Sequence, residues 1–216
     1  MAIGVLLLSI LLPADFCLKH FLSFSTAFLL SRIYFWAVLA GMIFYALKVE
    51  KQKFLLYEEQ KYPFKKILLM IFLIVVIILF GNAIISFILK SFGFSGISAE
   101  TKAVYLLFKE SYLLLIFTCI TAGVTEELLF RGYLQTRLEK LFNNAWLGII
   151  ISSLIFGLMH MGWHDLLQLI GTFWIGLVFA FFYYKYKNIK ILVLLHIFYD
   201  LISMSLKLFL VFNINK

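Results

Sequence analysis

The sequence predicts an all-α protein: a polytopic integral membrane bundle of about seven transmembrane helices, forming one domain over residues 1–216. Three observations carry that expectation. Of 216 residues, 64% are hydrophobic and 14% charged, with a mean hydropathy of +1.03, which is more apolar surface than a soluble domain of this size can bury. Apolar runs of roughly 20 residues, enough to cross about 30 Å of hydrocarbon, recur along the chain. Lysine and arginine gather in alternate connections between those runs, as they do where loops are retained on the cytoplasmic side.

Taken in order, the spans are expected at 24–47, 67–89, 105–134, 144–161, 164–184 and 191–212. The opening stretch MAIGVLLLSILLPADFC is a seventh and weaker span, because its apolar run is short and Asp15, Lys19 and His20 follow closely. It does not read as a cleaved signal, since no Lys or Arg precedes the apolar run and no small-x-small site follows it. Segment 48–66 carries six lysines, 135–143 carries Arg137 and Lys140, and 185–190 carries Lys185, Lys187 and Lys190. The opposite connections hold Lys19, Lys90, Lys102 and Lys216, so the three richer loops are expected in the cytoplasm. The net charge of +8 is thus a topology signal, and no nucleic acid is expected as a partner. Sixteen lysines against three arginines suggest an AT-rich genome, hence the cytoplasmic membrane of a bacterium.

The exceptions to apolarity carry the chemistry. Glu126, Glu127, Arg131, His160, His196 and Asp200 lie within or beside the last four spans. The four ionisable acids and base would together cost roughly 10 kcal/mol at the bilayer centre if uncompensated. They are expected to pair, to go neutral or to line a wet cavity. Glu127 and Arg131 are four residues apart, acid first, the favourable order for a buried structural pair. Glu126 is turned about 100° away and meets only Leu129 and Phe130 one turn on, so its carboxylate is available for other work. His196 and Asp200 share one face of the last span, so Asp200 could fix the histidine tautomer. Glu126, His160, His196 and Asp200 are the parts for activating a water and stabilising an oxyanion.

Glu126, His160 and His196 could also hold a divalent metal such as zinc, or none. The H-E-x-x-H spacing is absent. HMGWH, residues 160–164, spaces two histidines without the glutamate, and His164 reads as an interfacial loop residue. Cys17 and Cys119 show no metal or redox spacing and read as packing residues. Arg32, Lys109, Glu110 and Lys207 read as snorkelling or interfacial.

Three motifs stand in order on separate expected helices: Glu126-Glu127-x-x-x-Arg131, Phe156-x-x-x-His160 and His196-x-x-x-Asp200. Together with the glycine-spaced stretch 171–196, they resemble the CAAX protease and bacteriocin-processing family (CPBP, or ABI, family) of intramembrane proteases, over a core of about 121–200. The resemblance implies an endopeptidase in which Glu126 activates the attacking water. His160 and His196 position water and stabilise the oxyanion or bind metal, and Asp200 completes the site. The partners it implies are a membrane-associated peptide or protein substrate and the lipid bilayer. Immunity or scaffolding function within the same family is the alternative. A transporter is the weaker one, because the chain has no inverted repeats or paired broken helices.

Overall fold

The computed structural model describes residues 22–94, 98–163 and 166–213. The expected span in the first residues, Cys17 and His164 lie outside them. The described chain forms seven α-helices, with no strand among those residues: α1 Phe24–Lys48, α2 Phe64–Ser91, α3 Ala99–Glu110, α4 Tyr112–Phe142, α5 Ala145–Met159, α6 Leu166–Tyr186 and α7 Ile189–Asn213. Helices α1, α2, α4, α6 and α7 are long and apolar enough to cross a membrane, and α5 is a shorter apolar helix. On α2, Phe72, Phe80 and Phe87 are exposed while Ile74 and Ile78 are buried, as on a helix with lipid on one side and protein on the other. The protein is an integral membrane helical bundle.

Two boundaries depart from the sequence expectation. The span expected at 105–134 is two helices, divided at Ser111, whose backbone is extended (φ −143, ψ 98). The Ser111 hydroxyl accepts from the Leu114 amide at 3.3 Å and so starts α4. The preceding α3 is amphipathic: Val104, Tyr105 and Phe108 are buried while Glu100, Lys102, Lys109 and Glu110 are exposed, which suits a helix lying at the membrane interface. The second departure is segment 135–143, expected as a loop, which continues α4 to Phe142. Asn143 then ends the helix in the left-handed conformation (φ 47), and Asn144 caps α5 by accepting from the Trp146 amide at 2.9 Å. This extension sets two site residues at similar depths. Glu126 now stands sixteen residues above the end of α4 and His160 fifteen above the start of α5, about 24 and 22 Å.

Residues 49–63 cross the end of the bundle where the three basic connections meet. Arg137 donates to the carbonyls of Phe54 at 2.6 Å and Lys53 at 3.0 Å and pairs with Glu50 at 3.0 Å. The Tyr133 hydroxyl reaches the other Glu50 oxygen at 2.5 Å, Tyr57 donates to Glu139, and Glu59 caps α7 by accepting from the Ile189 amide at 2.9 Å. Burial, and then the bond to Glu139, push the Tyr57 phenol well above its ordinary range, so it remains a protonated donor at physiological pH. The three lysine-rich segments therefore share one end of the molecule, in agreement with the charge pattern.

Three apolar clusters surround α4. Leu39, Met42, Leu129, Phe130 and Phe156 join α1, α4 and α5; Ile74, Ile78, Phe179 and Leu192 join α2, α6 and α7; Phe28, Tyr105, Phe108 and Leu115 join α1, α3 and α4. Close packing of α4 on α7 depends on Gly123. A Cβ there would sit 2.5 Å from Ile197 Cγ1 and 3.0 Å from the Ile197 amide nitrogen. The backbone contact cannot yield to a rotamer change. Gly123→Val should therefore lower thermal stability by about 1–3 kcal/mol, the usual cost of overpacking. A melting curve in detergent checks this, and an unchanged midpoint would show that α4 and α7 are not held at this distance.

Candidate active site

The site forms where α4 changes its winding. Residues Tyr112–Glu126 are α-helical, whereas Glu127–Gln135 form a π-helix with i→i+5 hydrogen bonds. The wider turn rotates successive side chains by less than the roughly 100° of an α-helix, and such segments recur at functional sites. Glu126, the last α-helical residue, and Glu127, the first of the π-segment, both approach one residue of α7, His196.

Glu127 is 0% exposed and lies between two cations or potential cations. Its Oε1 is 2.8 Å from His196 Nδ1 and 3.2 Å from Arg131 Nη1. A carboxylate only accepts, so His196 carries its proton on Nδ1 and presents Nε2 to the opposite side. There Nε2 meets Asp200 Oδ2 at 3.4 Å and Glu126 Oε2 at 4.0 Å. The sequence reading assigned the orienting role to Asp200 and a purely structural role to Glu127. The geometry instead gives the Nδ1 bond to Glu127, because α7 packs beside the π-turn, and leaves Asp200 facing Nε2.

Arg131 is held by more than its ion pair. It donates from Nη2 to the Gly176 carbonyl of α6 at 3.4 Å, and its guanidinium lies over Phe156 at 4.3 Å and Phe179 at 5.5 Å. Both rings also pack against His196, at centroid distances of 6.5 and 5.5 Å. These aromatic walls desolvate the Glu127–Arg131–His196 group and hold the guanidinium by cation–π attraction.

His160 follows the last residue of α5 in a short 3-10 turn, His160–Trp163. Its Nδ1 lies 2.9 Å from the Phe156 carbonyl, which can only accept, so His160 also carries its proton on Nδ1 and has Nε2 free for chemistry. The F-x-x-x-H spacing thus has a local cause: the ring of Phe156 covers Arg131 while its carbonyl fixes the histidine four residues on. Glu126, 6% exposed, makes no hydrogen bond among the described residues, yet it lies within electrostatic reach of His160, His196, Asp200 and Arg32. The structure therefore gathers all six residues singled out in the sequence.

A metal held by Glu126, His160 and His196 would need three donors aimed at one point. Among the described residues no three His, Cys, Asp or Glu side chains are so arranged. The donor set does not fit an ion in this arrangement.

Sequence reasoning missed the aromatic walls, Gly123, and Gln135, which is fully buried and donates to the Ala180 carbonyl at 3.0 Å and to Glu139 at 2.8 Å. Gln135 had a signal. Glu127, Arg131, Gln135 and Glu139 recur every four residues, a polar stripe on an otherwise apolar helix.

Comparison with known proteins falls on the same segment. Residues 108–202 match the family described as "Type II CAAX prenyl endopeptidase Rce1-like". The protein of Bacillus subtilis (strain 168) named "Putative membrane peptidase YdiL" is 31% identical over 106 residues, which cover 49% of this chain and 42% of that protein. The chain thus matches less than half the length of this curated relative. No solved structure matches.

Removing the central charge should be costly. Glu127→Gln leaves Arg131 without its anion in a site closed to water, where breaking a buried pair costs about 3–5 kcal/mol. The expected result is a clear fall in melting temperature, partly restored in Glu127→Gln/Arg131→Met. If the double variant melts below the single one, the ion pair is not the source of the loss.

Proposed function

We propose a function from one premise: the chain belongs to the CAAX protease and bacteriocin-processing family. On that premise, the protein is an intramembrane endopeptidase that hydrolyses peptide bonds of membrane-associated substrates with a water activated by Glu126. The observation that carries the assignment is the contrast between the two adjacent glutamates. The Glu127 carboxylate is occupied by Arg131 and His196, whereas Glu126 makes no hydrogen bond among the described residues and faces His160, His196 and Asp200. A general base must be able to reach a water, and of the two glutamates only Glu126 is in that state.

In this reading the Glu126 carboxylate takes a proton from water as the oxygen attacks the scissile carbonyl. The tetrahedral oxyanion forms beside the Nε2 atoms of His160 and His196, which stabilise it by hydrogen bonding when protonated. The proton held by Glu126 then passes to the leaving nitrogen as the C–N bond breaks. Glu127 keeps His196 in one tautomer, Asp200 holds the Nε2 side in place, and Arg131 fixes Glu127. The reaction uses no metal step. The setting proposed for it is the cytoplasmic membrane of a bacterium, with residues 1–216 as one functional domain.

The experiment is a comparison of membrane peptidomes from cells carrying the wild-type protein or Glu126→Gln. New peptide termini should accumulate only with the wild type. With a substrate so identified, Glu126→Gln should melt like the wild type but turn over about 100-fold to 10,000-fold more slowly, the range ascribed to general-base catalysis. Identical termini in both strains, or an active Glu126→Gln protein, would remove Glu126 from the mechanism.

A further inference from the structure

We infer that the site is approached from the end of the bundle opposite the three lysine-rich connections. With those connections in the cytoplasm, the substrate is then a peptide presented at the outer surface or outer leaflet of the membrane. The conclusion about substrate rests on the protease reading, whereas the conclusion about access stands on packing alone.

The two directions away from Glu126 differ. Toward the basic end, every residue of α4 from Glu127 to Leu138 except Leu128 is buried. Leu129, Tyr133, Leu134 and Gln135 are each 0% exposed, and α1, α5 and α6 close around them. Below this layer the 49–63 segment is bound to every helix end it crosses. Arg137 holds Lys53 and Phe54, Tyr57 is tied to Glu139, the Asn188 side chain donates to the Gln60 carbonyl at 2.7 Å, and the Tyr62 hydroxyl donates to the Tyr186 carbonyl at 3.0 Å. Phe54 stacks on Tyr133 at 5.6 Å, so the strap packs against the buried layer. A substrate arriving from this side would have to displace both.

Toward the other end α4 itself stays buried at Thr125, Thr121, Thr118 and Leu115, and it is α7 and α5 whose burial relaxes. His196 has 6% side-chain exposure, but Asp200, next on the same face of α7, has 16%, and His160 is half-buried where α5 gives way to its 3-10 turn. Of the groups in electrostatic reach of Glu126, Arg131 lies toward the basic end, while His160 at the upper end of α5, Asp200 near the middle of α7 and Arg32 in the first half of α1 lie toward the other. Ionisable side chains in a membrane bundle mark water-filled paths, and those on this side are the less buried ones, with Asp200 at 16% against 0% and 1% for Glu127 and Arg131. Helix α3 lies at the same end, with Tyr105 in electrostatic reach of Asp200, so an amphipathic interfacial helix borders that end of the site.

Thiol labelling tests the inference without requiring turnover. In a protein with Cys17→Ser and Cys119→Ala, single cysteines are introduced as Asp200→Cys, as Ser203→Cys one turn above it, and as Glu58→Cys in the exposed part of the strap. Membrane vesicles of each orientation are treated with a membrane-impermeant maleimide, and reactivity of each thiol is verified in dodecyl sulfate. Positions 200 and 203 should react from one face and position 58 from the other, with position 58 reacting in inside-out vesicles. Labelling of 200 or 203 from the same face as 58 overturns the inference, as does protection of 200 and 203 from both faces. Ser203→Cys keeps Asp200 in place, so a folding defect in Asp200→Cys leaves the test intact. A protein that labels as expected but hydrolyses nothing would retire the protease reading and leave the route of access standing.

Discussion

The Glu127 carboxylate, closed to solvent and shared between Arg131 and His196, sets the conditions that the rest of the bundle meets. Three ionisable groups taken from water into a low-dielectric interior are costly individually and tolerable only together. The arrangement demands that α7 come close enough to α4 for a 2.8 Å contact, which Gly123 permits, and that Arg131 have further partners, which α5 and α6 supply as the rings of Phe156 and Phe179 and the carbonyl of Gly176. Four of the seven helices are thus fixed by one carboxylate.

The change of winding begins at the same place. Glu126 ends the α-helical part of α4 and Glu127 opens the π-segment, and the two acids meet opposite nitrogens of the His196 ring. The same winding carries the polar stripe downward against α6. Arg131 meets the carbonyl of Gly176 and Gln135 that of Ala180, an equal step of four on both helices. The stripe then passes through Glu139 to Tyr57, linking the site to the strap at the basic end.

What was legible in the sequence follows from which forces are local. Apolar length and loop charge gave five helices long enough to cross a membrane and the common end of the three basic connections, because burial in lipid acts on each segment separately, while the span expected at 144–161 is the shorter helix α5. The six site residues stood out because each violates apolarity. The break at Ser111 was missed because Lys109 and Glu110 read as interfacial residues within one apolar span, whereas the Ser111 hydroxyl starts a second helix. The run Thr136–Phe142 read as a loop from its charges, but Arg137 spends its charge on the strap rather than on solvent. The strap itself looked like a solvated lysine-rich loop. Its inward-facing Glu50, Phe54, Tyr57 and Glu59 are interspersed among those lysines with no period to reveal them. The partner of His196 Nδ1 was likewise out of reach, because the competing acids lie four residues away on its own helix and across a helix interface.

The pair of glutamates also shows why neighbouring identical residues need not be equivalent. Both side chains reach one imidazole, yet they meet different nitrogens, and the tautomer couples them. A proton fixed on Nδ1 by Glu127 leaves Nε2 facing Asp200 and Glu126. The Glu127 side of the ring is closed to solvent, whereas the Asp200 side borders the less buried part of α7. The two glutamates are therefore separated by the width of one imidazole ring, and the separation is imposed by which face of His196 the packing seals.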